Sequence, residues 1–251
     1  MTTTAAVGGR TGSVYSSRTA GGGSNSRADR ARRVARGFGE VLITFGLIVL
    51  LFALYEVYGK TQIVNAHQSD LEKQLTQVWN QPAPITGKAP GYAGGNSNLP
   101  PPGGALGRLY IPVLHLHWVV VEGVSLQDIA YAPGHYPGTA LPGQIGNFAV
   151  AGHRIPSIFW DMQKVQPGTV VVVETRDDYY EYQVTVNELV TPHSVEVIAP
   201  TPDHPGVAPT KAMLTLTTCN PKWDNYQRMV VHAVLIKTSP VKAGPPVALG
   251  S

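Results

Sequence analysis

One cysteine, one histidine and one arginine at the ends of strand-like runs form a candidate catalytic set. Cys219 is the only cysteine among 251 residues, His153 ends an apolar run, and Arg228 lies near the start of another. A thiolate can attack a carbonyl carbon, an imidazole can move protons, and a guanidinium can hold a substrate or stabilise an oxyanion. The alternative interpretation of a lone cysteine is a buried, inert thiol.

Side-chain alternation predicts which strand face carries the thiol. Neighbouring side chains of an extended strand point to opposite faces, so Cys219 shares the more polar face of its run with Thr217. Turn residues at 220–224 separate this run from the next, which places Cys219 and Arg228 on either side of a hairpin loop. His153 lies 66 positions before Cys219, so only the tertiary fold can bring them together. His135 is the rival candidate base.

Several ordered motifs in this sequence resemble those of the sortase family. They are Ala132 to Thr139, Leu141-Pro142-Gly143, Gly146-Asn147, Ala151 to Arg154, and Thr215 to Cys219 followed by Arg228. The similarity extends over residues 107–238. Within the family, Thr215 to Lys222 and the short interval to Arg228 look most similar to the class E enzymes of actinobacteria, with class D as the alternative.

The resemblance implies an all-β fold with short helices, an eight-stranded sortase-type β-barrel preceded by a single N-terminal transmembrane helix. By motif position, Cys219 would be the nucleophile, His153 the acid and base, and Arg228 the cationic group. The residues that we expect to contact the substrate lie within the same motifs and are Thr217, Thr218, His135 and Tyr136.

The implied activity is that of a cysteine transpeptidase. Its substrate would be an exported protein with a C-terminal Leu-Ala-X-Thr-Gly or Leu-Pro-X-Thr-Gly signal, cleaved after Thr through a thioacyl intermediate and transferred to an amine of a peptidoglycan precursor. A pilin lysine as acceptor would imply polymerase activity. A thiol peptidase that uses water and a non-catalytic wall-binding module are the alternatives. No cofactor is expected.

An apolar segment near the N-terminus predicts a membrane anchor. The 15 residues from Val41 to Tyr55 carry no charge, and extension to 38–58 reaches the length of about 20 residues that a spanning helix needs. Five arginines lie between residues 27 and 36, whereas only Lys60 follows closely. The positive-inside rule therefore predicts a cytoplasmic N-terminus and an extracellular catalytic domain. A cleaved signal peptide is the main alternative, and a buried core helix is a lesser one.

The distribution of charge argues against a nucleic-acid partner. Residues 1–37 carry seven arginines against one aspartate, whereas residues 107–239 carry eight basic against eleven acidic side chains. The basicity therefore belongs to the leader, where it sets topology and can contact anionic lipid.

We predict a disordered leader at 1–37, a stalk or interfacial helix at 59–80, a Pro- and Gly-rich linker at 81–106, a catalytic domain at 107–239 and a disordered tail at 240–251.

Strand-like runs dominate the predicted catalytic domain. The candidates are 108–113, 118–122, 144–153, 169–174, 179–189, 211–219 and 227–237, with 194–198 as a weaker eighth.

His115 and His117 have a spacing that could suit a metal, but no third ligand is visible nearby. Asp177, Asp178, Glu181 and Asp203 have no spacing that specifies a site either, so we predict no metal.

Overall fold

The computed structural model describes residues 25–55, 59–81 and 99–250, which divide into two compact units at Tyr55. The first unit contains helix α1, Asn25–Leu54. Its segment Arg27–Leu54 is long and apolar enough to cross a membrane, and none of the most apolar stretch is buried. The helix begins within the leader that we predicted to be disordered, because 27–37 is rich in Arg and Ala, which favour helices. Residues 1–24 and 56–58 lie outside the described residues.

The second unit consists of one helix and a closed barrel. Helix α2 is Lys60–Asn80, and the strands are β1 Ala105–Ile111, β2 Leu116–Glu122, β3 Gly134–His135, β4 Gly146–Ala151, β5 Val170–Glu174, β6 Asp178–Val190, β7 Ala212–Asn220 and β8 Gln227–Pro240. Their order around the barrel is β1-β2-β3-β4-β7-β8-β6-β5, and β5 pairs with β1 to close it. Closure removes the two outer edges that an open sheet would have. The eight-stranded barrel implied by the resemblance is thus confirmed.

Alternation assigns one face of each long strand to the barrel interior. On β7, Leu214 and Leu216 belong to the fully buried core, together with Phe148 and Val150 of β4 and Val231 of β8. The residues between them face outward, and several of these are covered by loops rather than by the core. The outer face of β4, β7 and β8 can therefore carry polar side chains on a rigid support.

One predicted strand was wrong. The segment proposed as the weaker eighth strand contains a short 3-10 turn, Val195–Ile198, and the eighth strand is instead the two-residue β3. Gly134 pairs with both β2 and β4, and a Cβ at this position would lie 2.1 Å from the Gly123 carbonyl oxygen. This close backbone approach explains why a strand with so little periodicity can bridge two neighbours.

Helix α2 packs against the barrel, where the sequence had indicated a stalk or an interfacial helix. Val64 and Leu75 are buried, and Gln68 both accepts a hydrogen bond from the backbone N–H of Val119 and donates one to its carbonyl oxygen. Arg108 on β1 pairs with Glu72 of the helix and with Glu174 of β5. These contacts fix the helix on β1 and β2.

Two further boundaries differ from the predictions. Strand β1 begins at Ala105, within the predicted linker, of which residues 82–98 lie outside the described part of the chain. At the other end β8 runs to Pro240, and the tail forms two short turns, Val241–Ala243 and Val247–Leu249. These turns lie within the segment for which we predicted disorder.

Candidate active site

Strands β7 and β8 place the cysteine and the arginine side by side. Cys219 and Arg228 are direct partners in this antiparallel pair, one residue before its end at Asn220 and Gln227. Partners in such a pair have Cβ atoms about 4.5–5.5 Å apart and point to the same face. The pairing predicted from the hairpin spacing is present, and it starts both side chains from neighbouring positions on the outer face of the barrel.

Strand β4 carries His153 toward the same strand end. It runs parallel to β7 with Ala151 opposite Thr217, and the N–H of Gly152 donates to the carbonyl oxygen of Thr217 at 3.0 Å. His153 follows two residues after Ala151 and Cys219 two residues after Thr217, so both lie at the same end of the paired strands. The Thr218 hydroxyl donates to the carbonyl oxygen of Gly152 at 2.8 Å and holds the end of β4 in this position.

Close packing explains the glycine before His153. A Cβ on Gly152 would lie 2.5 Å from the Phe159 ring, and Phe159 is fully buried. The backbone N–H of Phe159 donates back to the carbonyl oxygen of His153 at 3.2 Å. A larger residue at position 152 would push this turn, and with it the imidazole, away from β7.

Arg154 is a second cation at the site, and sequence reasoning gave it no role. Its Nη1 donates to the carbonyl oxygen of Cys219 at 3.3 Å and also to the Asn220 side chain, and its Nη2 donates to Gln163 at 2.8 Å. Burial lowers the pKa of the guanidinium, whereas the charges of Asp161 and Cys219 favour its protonated form. The only feature of the sequence that could have indicated a role for Arg154 is its position directly after His153 in the motif.

The cysteine and histidine are partly accessible, as a reacting pair must be. Cys219 is a free thiol that is neither buried nor fully exposed, and His153 has intermediate burial. Burial lowers the pKa of His153, so its imidazolium form requires a more acidic solution than an exposed histidine does. A nearby negative charge, such as a thiolate at Cys219, would oppose this effect.

A pocket of about 110 Å³ opens beside Arg228 on the same face. Its walls are mainly apolar, with Val190 from β6, Val230 from β8, and Val195 and Val197 from the β6–β7 segment. Tyr136 and Thr217 also line it, and their hydroxyl groups lie 3.1 Å apart. The pocket thus joins two of the four predicted substrate contacts to the predicted catalytic arginine.

The other two predicted substrate contacts lie elsewhere. His135 is fully buried, with Nδ1 2.7 Å from Glu122 Oε2 and Nε2 2.9 Å from the Thr139 hydroxyl. Both ring nitrogens are therefore engaged inside the protein, which also argues against His135 as the rival base. The Thr218 hydroxyl is engaged with the backbone of Gly152.

Comparison with known proteins assigns the family. A model of the sortase domain matches residues 109–236, about half of the chain and nearly all of the barrel. The chain belongs to the sortase family. It is 32% identical to sortase SrtE1 of Streptomyces coelicolor over 90% of its own length and 65% of that protein's, and 28% identical to sortase SrtE2 of the same organism over 88% and 91%.

A solved structure supports the same assignment. The barrel is similar to that of sortase E from Streptomyces avermitilis, with a TM-score of 0.53 and 38% identity over 59% of this chain and 97% of that one. The resemblance to class E enzymes that the motifs indicated is confirmed by these relatives. The chain spans slightly less than two thirds of the length of the first Streptomyces coelicolor relative.

Proposed function

We propose that this sortase cleaves a C-terminal sorting signal after Thr and transfers the released acyl group to an amine of a cell-wall precursor. The observation that carries the proposal is the cross-strand pairing of Cys219 with Arg228, with His153 brought to the same strand end. Nucleophile, proton carrier and cationic donor are the groups that transpeptidation through a thioester requires.

Each group has one task in the proposed reaction. The Cys219 thiolate attacks the Thr carbonyl carbon, and the negative charge that develops on the oxygen is stabilised by Arg228 through charge-assisted hydrogen bonds. As the C–N bond breaks, His153 gives its proton to the leaving amine, which leaves a thioester. The incoming amine then attacks this thioester while His153 takes up its proton, and the thiolate is released.

Arg154 acts as a positioning residue in this proposal. Its guanidinium ties the turn that carries His153 to the carbonyl oxygen of Cys219, so it fixes the distance between the two strand ends.

The apolar pocket would bind the aliphatic residue that opens the sorting signal. A pocket of about 110 Å³ is far smaller than the sites that enclose whole ligands, about 300–1,000 Å³, and suits a single side chain. Its place beside Arg228 lets an extended peptide put Leu in the pocket and the Thr carbonyl at Cys219. Tyr136 and Thr217 would contact the substrate residues between Leu and Thr. The buried His135 and the hydrogen-bonded Thr218 would not contact the substrate but would stabilise the segments that form the site.

Helix α1 would anchor the enzyme in the membrane. Its apolar part is flanked by arginines only on its N-terminal side within the described helix. By the positive-inside rule this end would lie in the cytoplasm and the barrel outside the cell, where exported substrates and peptidoglycan precursors are found.

Product analysis with and without an added amine separates transfer from hydrolysis. The full chain in detergent micelles is incubated with a sorting peptide, alone or with an oligoglycine or a stem-peptide amine. We expect the amine to appear covalently joined to the Thr carboxyl group and the rate of peptide consumption to rise. Free Thr carboxylate as the only product at every amine concentration would favour the thiol peptidase.

Replacement of Arg228 by Lys tests the role of the planar guanidinium. Arg228 Nη1 donates to the carbonyl oxygens of Asn225 and Gln227 at 2.7 and 2.9 Å, which leaves Nε and Nη2 for a substrate. A lysine ammonium is a point donor and cannot serve both sets of acceptors. We expect kcat/KM for peptide cleavage to fall by about 10²-fold or more. Arg176→Lys, in the β5–β6 turn, is the matched control, and a near-normal rate for Arg228→Lys would reduce Arg228 to a structural residue.

A further inference from the structure

A histidine and two carboxylates converge on the outer face of the barrel, away from the catalytic residues. Glu188 on β6, Asp203 in the β6–β7 segment and His232 on β8 bring their ligand atoms within 4.8 Å of one another. His232 Nε2 lies 3.4 Å from Asp203 Oδ2 and 3.6 Å from Glu188 Oε1. His232 is four residues from Arg228 along β8, or about 13 Å at the rise of an extended strand.

Neighbouring hydrogen bonds determine which ring nitrogen carries the proton. Asn147 Nδ2 donates to the carbonyl oxygens of Val197 and Ala199, so Asn147 Oδ1 is left to accept. The Thr215 hydroxyl donates to this oxygen at 2.8 Å and must therefore accept from His232 Nδ1, 2.9 Å away. In the neutral ring, Nε2 then presents a lone pair to the two carboxylates.

This arrangement lacks a positive charge at its centre. His232 is 3% exposed, and its Nε2 makes no hydrogen bond. Three acceptors that face one point repel one another unless a proton or a cation lies between them.

We propose that Glu188, Asp203 and His232 form a binding site for a divalent transition metal ion, for which Zn²⁺ fits best. Zn²⁺ binds imidazole nitrogen and carboxylate oxygen at about 2.0–2.2 Å in tetrahedral geometry, which sets neighbouring ligand atoms about 3.3–3.6 Å apart. The separations of 3.4 and 3.6 Å from His232 Nε2 match this spacing. Ca²⁺ and Mg²⁺ prefer sites made of oxygen ligands alone.

The surroundings fit a metal site in two further respects. The hydrogen bond from His232 Nδ1 to Thr215 orients the ring, as the outer contact of a metal-binding histidine does, with a hydroxyl in place of the usual carboxylate, carbonyl or water. The carboxylates of Glu188 and Asp203 are 38% and 43% exposed, so an ion has a path of entry and a solvent ligand can complete the tetrahedron. The ion would fasten the β6–β7 segment, which also carries Val195 and Val197 of the apolar pocket, to β6 and β8.

Zinc titration of the full chain tests the site directly. The protein is prepared in detergent micelles without a polyhistidine tag and in a Cys219→Ala background, because the active-site thiol could also bind Zn²⁺. After metal removal by a chelator, Zn²⁺ is titrated against a chromophoric competitor. We expect one tight site per chain, and at least about tenfold weaker binding in Asp203→Asn and in Glu188→Gln, since loss of even an outer contact costs this much.

Asp177→Asn is the matched control, because Asp177 is an exposed acid at the opposite end of β6. It should bind Zn²⁺ like the parent, and Zn²⁺ should raise the melting temperature of the parent and of this control but not of Asp203→Asn. Equal affinity in all variants would overturn the proposal, because it would assign the zinc to the other seven histidines. The absence of tight binding in the parent, or stronger binding of Ca²⁺ than of Zn²⁺, would overturn it as well. The readouts do not depend on transpeptidation.

Discussion

Cys219→Ala abolishes cleavage of a sorting peptide, with an expected loss of at least about 10³-fold in kcat. Cys219 is the only thiol of the chain, so no neighbouring residue can replace it as nucleophile. Its side chain packs at a strand end with intermediate exposure and lies outside the hydrophobic core, so Ala leaves the fold intact. The measurement is the rate of peptide cleavage by the full chain in detergent micelles, together with covalent attachment of reporter proteins in cells.

The control for this variant is its melting temperature, which should stay close to that of the parent. A Cys219→Ala protein that is folded and still attaches reporter proteins at the normal level would favour the non-catalytic wall-binding module. The same substitution therefore separates the enzyme from the binding protein.

His153→Ala has the second largest expected effect, a loss of about 10²–10⁴-fold in kcat, the usual contribution of a general acid or base. The leaving amine must gain a proton as the C–N bond breaks. The parallel pairing of β4 with β7 places His153 at the same end of the sheet as Cys219. Alkylation of Cys219 by iodoacetamide should continue at a reduced rate, since the thiol remains while the proposed proton acceptor is lost. Rates of cleavage and of alkylation are measured on the same preparations.

His117→Ala is the matched control for His153→Ala, because His117 is an exposed histidine on β2. It should cleave and alkylate like the parent. His135→Ala should lower the melting temperature instead, because it leaves the buried carboxylate of Glu122 without its partner. Normal turnover in His153→Ala, with none in a folded His135 variant, would show that the other imidazole is the proton carrier.

The local elements of the fold were largely predictable from strand periodicity. Seven of the predicted runs correspond to strands because each alternates or is continuously apolar over several residues. Strand β3 was missed because two residues carry no periodicity, and its pairing depends on the close approach of Gly134 to Gly123. The closed eight-stranded barrel was implied by the family resemblance, since periodicity does not determine which strands are neighbours.

The positions of some site residues could be predicted from local spacing, whereas those of others could not. The hairpin spacing was sufficient to pair Cys219 with Arg228, because a short loop fixes the register of two antiparallel strands. The approach of His153 depends on the parallel pairing of β4 with β7, and only the motif match indicated it. The burial of His135 results from packing between β2 and β4 and has no local signal in the sequence.

The residues of the proposed metal site could not be brought together from the sequence either. Our expectation of no metal considered Asp203 together with Asp177, Asp178 and Glu181, which lie close to one another around the start of β6. In the structure its neighbours are Glu188 and His232, which come from two different strands. Pairing of β6 with β8 brings these strands together, and no spacing along the chain indicates it.

The central claim is that Cys219 forms a thioester with the substrate, and intact-protein mass spectrometry tests it most directly. The full chain is incubated with two sorting peptides, one with Ala and one with Pro at the second position, and the reaction is quenched in acid. The mass of the intact protein is measured first, and digestion then locates the adduct. The account predicts a mass increase equal to the peptide segment that ends in Thr, located on Cys219, removed by hydroxylamine and absent from Cys219→Ala. Peptide consumption without any adduct, or an adduct on another residue, would contradict it.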